Sequence, residues 1–333
     1  SWSVSDVARE LGGRSHGAVG QALDRLTDLG RAVACGGSPR RWRAATGVAA
    51  SSPAPVPSSP PGQPRAVSAP ILRPNGQPYH PRLLGGRPDV QVLRELRGAE
   101  IPVLLYGPPG TGKTSLIEAA FGDELHTVAG DGDTTVGDLL GDYVPEAGGG
   151  YRFVDGPLVR AMETGGVLLI DDATLISPKV LAVMYPAMDG RREIVVKANG
   201  GHLVTAQPGF YVVAGHNPGV HGAVLTEALS SRFTTQIRVT TDYDLAVRLG
   251  VDRRVVRAAR HLAAKVDTGE IGWAPQLREL LGFNKVTAAL GVDAAVANLV
   301  GVAPVEDRDI VTDTLKTAVP GVELEPLALG RQL

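Results

Sequence analysis

Residues 107–114 read Gly-Pro-Pro-Gly-Thr-Gly-Lys-Thr and follow directly on the apolar run Ile101-Pro102-Val103-Leu104-Leu105-Tyr106. This is a complete G-x-x-x-x-G-K-[ST] loop, set between a strand pattern and the helical pattern Thr114-Ser115-Leu116-Ile117-Glu118-Ala119-Ala120. The glycines let backbone N–H groups close around phosphate oxygens where a side chain would block the approach. The helix that starts here turns its positive dipole end toward the same anion. Lys113 supplies a point charge to the outer phosphates, and Thr114 offers a hydroxyl to Mg²⁺. Gly107, Pro108, Pro109, Gly110, Thr111, Gly112, Lys113, Thr114 and Ser115 are therefore the expected contacts to a nucleoside triphosphate.

Beyond the loop, strand and helix patterns alternate, which predicts an α/β fold with a parallel sheet covered on both faces. The candidate strands are 101–106, 125–129, 167–171, 210–215 and 235–239. Val167-Leu168-Leu169-Ile170 and Phe210-Tyr211-Val212-Val213-Ala214 are continuous apolar runs, as strands buried on both faces must be. The third strand ends in Asp171-Asp172, and a carboxylate at that end of a strand sits at the ligand-binding edge of an open sheet. Asp171 is expected to hold Mg²⁺ through its water shell, and Asp172 to orient the attacking water. Simple capping of a following helix is the other reading of this pair.

Upstream, the composition changes sharply. From Thr46 to Pro70 the chain is almost entirely Ala, Ser, Pro, Val and Gly, with Arg65 its only charge. Such a stretch cannot bury enough apolar surface to offset ordering entropy, so 46–81 is expected to be a disordered linker. Residues 1–45 carry seven Arg, no Lys and four acids. Helical patterns at 4–11 and 18–29, then strand patterns at 31–35 and 41–44 around Gly36-Gly37-Ser38-Pro39, resemble a partial winged helix-turn-helix module. A DNA-reading version would use Arg14, His16, Gln21 and Arg25 with Arg40, Arg41 and Arg43. A protein-docking module with solvated arginines is the alternative.

Net charge of −2 gives no global pull toward nucleic acid or anionic membrane. One cysteine, Cys35, leaves no internal disulfide framework and fits a reducing compartment. No apolar run approaches the roughly 18–20 residues of a membrane span, and none reads as a signal peptide. The expectation is a cytoplasmic protein without membrane association. The chain begins at Ser1 rather than Met, which predicts a partial or processed form.

One ordered series of short blocks resembles the AAA+ ATPases of the MoxR-like branch, over roughly Gly85 to Leu281. It runs through Asp155-Gly156-Pro157-Leu158-Val159-Arg160-Ala161-Met162, Gly166 to Asp172, Leu181 and Met188-Asp189-Gly190-Arg191-Arg192-Glu193. Gly215-His216-Asn217-Pro218 and Leu229-Ser230-Ser231-Arg232-Phe233 complete it. The resemblance implies an AAA+ P-loop core with a five-stranded parallel sheet, β-hairpin insertions and a helical lid, preceded here by the small winged-helix module. The implied division is 1–45 for that module, 46–81 for the linker, 82–240 for the core and 241–333 for the lid and tail.

The resemblance also implies roles. Asn217 stands at the sensor-1 position, Arg232 matches the arginine that reaches the neighbouring subunit's nucleotide, and Arg278 is the candidate lid arginine. Together these imply ATP hydrolysis with Mg²⁺ in a homo-oligomeric ring, expected to be a hexamer, that remodels a protein client. A partner carrying a von Willebrand factor A domain is a further implied contact. Two positions depart from the family pattern. Asp172 replaces the usual Glu, and a displacement of about 1 Å can cost roughly 10²-fold. Gln276 occupies the usual lid-arginine position, with Arg278 two residues later.

Residues 143–153, around a glycine tip, and 193–205, around Asn199-Gly200, read as hairpins. In the family such hairpins grip or lever a client; plain structural hairpins are the alternative. His216 and His221 flank the Asn217 loop without a nearby carboxylate or thiol, which argues against a metal pair. Two other functions fit the sequence. One is a DNA-associated ATPase recruited through residues 1–45, and the other is a slow nucleotide-dependent switch.

Overall fold

The computed structural model describes residues 69–220, 222–322 and 325–328, together with three short strands nearer the N-terminus. The chain divides into two units, Ser1–Ala66 and Val67–Leu333. In the first, Trp2–Ser3 and Ala32–Cys35 both pair antiparallel with Arg41–Ala44, giving a small three-stranded sheet. The two later strands fall where expected, and the first was not anticipated. The helices expected at 4–11 and 18–29 lie outside the described residues, as does the linker from 46 to 68.

The second unit is built on five parallel core strands: β1 Val103–Tyr106, β2 Leu125–Ala129, β3 Val167–Asp171, β4 Tyr211–His216 and β5 Thr235–Arg238. Their spatial order is β5-β1-β4-β3-β2. Val213 pairs with Val103 and with Leu169, so the chain ends of β1, β3 and β4 reach the same edge of the sheet. Successive side chains alternate across the sheet. Leu104, Leu168, Ile170 and Val212 enter one core with Leu158, Met162, Leu181 and Phe233. Val103, Leu105, Val167, Leu169 and Val213 enter the other with Leu93, Ile117, Phe121 and Tyr79. Each fully buried aliphatic side chain contributes about 1.5–3 kcal/mol relative to exposure, which fixes the register of these strands.

Helices between Tyr243 and Ala318 form a third core around Val255, Val256, Leu262, Phe283, Val296 and Leu315. The long amphipathic helix Arg253–Asp267 begins at Asp252, whose carboxylate accepts from the Arg254 backbone N–H at 2.7 Å. Both hairpins are present: Gly141–Pro145 pairs with Tyr151–Asp155, and Glu193–Val196 pairs with His202–Thr205. Among the described residues no helix is long and apolar enough to cross a membrane.

The C-terminal boundary of the expected linker needs correction. Ile71–Leu72 pairs with Pro78–Tyr79 around the turn that holds Gly76. Tyr79 is buried among the core side chains and donates its hydroxyl to the buried Asp89 carboxylate, which Arg82 also approaches at 3.5 Å. Pro-rich composition averaged over the window hid two anchors, Ile71 and Tyr79. Proline is tolerated at such a short strand because only one edge must bond.

Candidate active site

Gly107 leaves the end of β1 with φ of +152°, and a Cβ there would lie 2.1 Å from the Val239 carbonyl oxygen. Only glycine lets the chain turn at this point. The loop closes onto the helix Lys113–Phe121, so its first N–H groups face the turn. Lys113 is buried, and its ammonium donates to the carbonyls of Gly107 at 2.9 Å and Pro108 at 3.0 Å and to Asn217 Oδ1 at 2.5 Å. Burial lowers its pKa to about 8; Asp171 and Asp172 oppose that shift, and Arg278 adds slightly to it.

Thr114 Oγ1 donates to Asp171 Oδ2 at 2.8 Å, joining the loop to the end of β3. The next residue, Asp172, takes a left-handed backbone with φ of +49°, a region that Asp tolerates better than most side chains. This turn carries the Asp172 carboxylate to Asn217, whose Nδ2 donates to its Oδ1. Asn217 therefore bridges Lys113 and Asp172 from the end of β4. Beside it, His216 is buried and shares a 2.8 Å hydrogen bond with Thr174, and burial followed by the Lys113 charge lowers its pKa. That bond occupies one ring nitrogen. His221 lies outside the described residues, and no cluster of three potential ligands occurs among the described residues.

Lys113, Thr114, Asp171, Asp172 and Asn217 line a cavity of about 510 Å³ together with Pro109, Gly110, Gly112, Ser115 and Arg278. Arg278 is placed there by the helix Leu277–Leu290, whose first N–H groups meet the loop: Arg278 N donates to the Gly110 carbonyl at 3.2 Å. Gln276 does not line the cavity. It begins that helix, with its N–H donating to Glu279 Oε2 at 2.9 Å and its Oε1 accepting from Thr241 at 2.7 Å. The cavity is lined by five cationic or amide side chains, Arg73, Gln77, Lys113, Asn217 and Arg278, by the Asp171 and Asp172 carboxylates, and by Leu175, Val220, Leu277 and Leu281. That mixture suits a polyanion joined to a less polar group. The hydroxyl of Thr114 and the carboxylate of Asp171 are hard oxygen donors side by side, which fits Mg²⁺.

Arg232 stands apart from this cavity. Its guanidinium carbon sits 3.7 Å over the Tyr185 ring and its Nη1 donates to the Ala228 carbonyl at 2.7 Å. A larger cavity of about 700 Å³ lies between the two hairpins and is lined by Val136, Leu140, Val183 and Ile194. It contains none of the expected site residues.

Sequence reasoning missed Arg73, Gln77 and Arg82. Arg73 donates to Ser115 Oγ at 3.1 Å and Glu118 Oε2 at 2.8 Å, and with Gln77 it lines the nucleotide-sized cavity. Arg82 donates to the carbonyls of Thr111 at 3.3 Å and Thr240 at 3.0 Å. No motif marks them: Arg73 and Gln77 lie in the segment expected to be linker, and Arg82 directly after it.

Comparison with known proteins identifies the family. The family model for the AAA domain (dynein-related subfamily) matches residues 102–233. Protein NorQ of Paracoccus denitrificans is 32% identical over 214 residues, covering 60% of this chain and 73% of that protein. The denitrification regulatory protein NirQ of Stutzerimonas stutzeri is 36% identical over 147 residues, 40% of this chain and 53% of its own. An uncharacterized protein of Staphylococcus aureus (strain USA300) is 37% identical over 139 residues, 39% of this chain and 52% of that one. The chain thus spans about half the length of the latter two. With a complete phosphate loop, the five-stranded parallel sheet and these relatives, the chain belongs to the MoxR-like AAA+ ATPases of the dynein-related AAA subfamily and is an ATP-hydrolysing enzyme.

Proposed function

We propose that this enzyme hydrolyses ATP·Mg²⁺ at the interfaces of a homo-oligomeric ring, hexameric by family resemblance, and uses the cycle to remodel a protein client. The observation that carries the reading is a separation. Lys113, Thr114, Asp171, Asp172, Asn217 and Arg278 line one cavity, whereas Arg232 lies outside it and has no carboxylate partner among the described residues. An arginine of this kind serves a phosphate that its own subunit does not hold.

In this reading the loop N–H groups and Lys113 bind the β- and γ-phosphates, and Arg278 adds charge from the lid. Thr114 and Asp171 would hold Mg²⁺, which would supply charge neutralisation to the phosphates. Asp172 orients the attacking water and accepts its proton, while Asn217 fixes the Asp172 carboxylate and contacts the γ-phosphate. Arg232 of the adjoining subunit meets the charge that spreads over the transferred phosphoryl group, an effect worth about 10³–10⁵ in rate. The exposed Tyr143, Tyr151, Val195 and Leu203 on the hairpins are the proposed client contacts. A partner with a von Willebrand factor A domain, and DNA recruitment through residues 1–45, stay proposals drawn from sequence resemblance.

Mixed rings test the interface mechanism. Arg232→Ala subunits and Lys113→Ala subunits should each be nearly inactive alone. Mixed, they should regain ATP turnover, because an intact Arg232 then faces an intact nucleotide site. Normal turnover by Arg232→Ala alone would remove Arg232 from the mechanism.

A further inference from the structure

We propose that Tyr185 is a positioning residue that sets the plane and reach of Arg232 for the neighbouring subunit's nucleotide. The inference rests on the interface reading of Arg232 given above and extends it to a residue that no motif identifies.

Arg232 follows the short helix Glu227–Ser230, where Thr226 Oγ1 accepts from the Leu229 N–H at 3.2 Å. Leu229 and Phe233 on either side are each 1% exposed, so the backbone of this step is anchored in the core. The side chain is another matter. An arginine that must present its donors to a partner cannot be held by a carboxylate, which would consume those donors and cancel the charge. Asp189, whose carboxyl feels the Arg232 charge, is already engaged: Arg191 bridges it at 2.6 Å, and Arg232 is the smallest of the influences on it.

The ring of Tyr185 solves that problem. A guanidinium stacked face to face on an aromatic ring is attracted by the ring quadrupole while its N–H groups point outward along the edge. Here the separation is 3.7 Å, a direct stack. One edge donor, Nη1, is fixed by the Ala228 carbonyl at 2.7 Å, which sets the rotation of the plane. Nε is buried without a partner, so the arrangement does not maximise hydrogen bonding within the subunit. What it does is hold a charged, flat group in one orientation with no carboxylate bonded to it among the described residues. Tyr185 is itself half-buried against the main core, at the start of the helix Tyr185–Met188. Its ring is therefore a fixed platform rather than a flexible cover.

The test compares ATP turnover by the full-length chain carrying Tyr185→Phe, Tyr185→Leu, Arg232→Ala, or Arg232→Ala with Tyr185→Leu. Tyr185→Phe keeps the ring face and should stay within about twofold of the native kcat. Tyr185→Leu keeps apolar bulk but loses the platform, and should lower kcat by about 10–100-fold with KM for ATP unchanged. In the double variant Tyr185→Leu should add nothing to the loss from Arg232→Ala. The decisive measurement mixes Tyr185→Leu subunits with Lys113→Ala subunits, which cannot hold nucleotide but carry an intact Tyr185–Arg232 stack. Turnover should rise above either parent, because the defect is supplied to a neighbour. A Tyr185→Leu defect that mixing does not relieve lies within its own subunit and overturns the proposal. So does native turnover by Tyr185→Leu when Arg232→Ala is inactive, an outcome that leaves the interface reading intact. Active Arg232→Ala instead removes the interface reading itself.

Discussion

The backbone N–H of Arg278 donates to the carbonyl of Gly110 at 3.2 Å, so the first turn of a lid helix is bonded directly to the phosphate loop. Nucleotide chemistry and the orientation of the helical unit thus share one contact.

Gly110 has φ of +80°, and a Cβ there would lie 2.9 Å from the Arg278 Cβ. Gly110→Ala is expected to destabilise the fold by about 1–3 kcal/mol through backbone strain and crowding. It should also weaken ATP binding, because relief of the clash moves Arg278 away from the cavity. Thermal melting with and without ATP checks both effects, and an unchanged ATP-induced shift would separate lid position from nucleotide binding.

Lys113 gives a pH signature. Its pKa in the fold is about 8, lowered by burial, so it is charged below that value and neutral above it. Bound phosphate requires the charged form, so binding above the pKa takes up a proton. ATP affinity should be flat between pH 7 and 8 and fall by about tenfold per unit above pH 8. For stability the sign is opposite: the unfolded lysine titrates higher, so the burial penalty persists below pH 8 and is relieved as pH rises through that value. Calorimetric ATP titration across pH 7–9.5 reads the affinity limb directly.

Asp172 tests whether the short carboxylate is a defect or a fitted part. Its left-handed backbone and its bond from Asn217 set the carboxylate position. Asp172→Asn tolerates the same backbone and should keep the fold and ATP binding, while turnover falls about 10²–10⁴-fold for want of a proton acceptor. Asp172→Glu should not accelerate turnover, since the longer side chain loses the Asn217 contact and Glu disfavours this backbone by about 1–2 kcal/mol. A Glu variant faster than the native enzyme would mean that reach, not placement, limits the reaction.

The hairpin before the core is expected to contribute to stability. Tyr79→Phe removes the hydroxyl that donates to buried Asp89 and should cost about 1–3 kcal/mol. A chain starting at residue 82 should melt clearly lower than one starting at residue 67. Equal melting of the two truncations would return 69–81 to the linker.

Mg²⁺ dependence follows from the Thr114–Asp171 pair, 2.8 Å apart. Thr114→Ala and Asp171→Asn should leave metal-free nucleotide binding within a few-fold and raise the Mg²⁺ concentration needed for half-maximal turnover by about 10-fold or more. Magnesium titrations at saturating ATP provide the measurement.

The sequence by itself determined the sheet and half of the site, because those features are local. The loop at 107–114, the apolar runs of β1, β3 and β4 and the two hairpin turns depend on spacing, period and turn chemistry within a few residues. Asp171 was legible because it ends a strand that the loop had already oriented. Only the tertiary structure decided the rest. It set Asn217 between Lys113 and Asp172 and brought Arg278, rather than Gln276, onto the loop. It also drew Ile71 and Tyr79 out of an apparent linker and laid Arg232 on Tyr185. The contacts of Asn217, Arg278 and Arg232 join residues 45 to 168 positions apart, and nothing in either partner's neighbourhood encodes the other. They arise because burying the strands in one order brings distant chain ends to a common edge, where unpaired charges and amides then find each other.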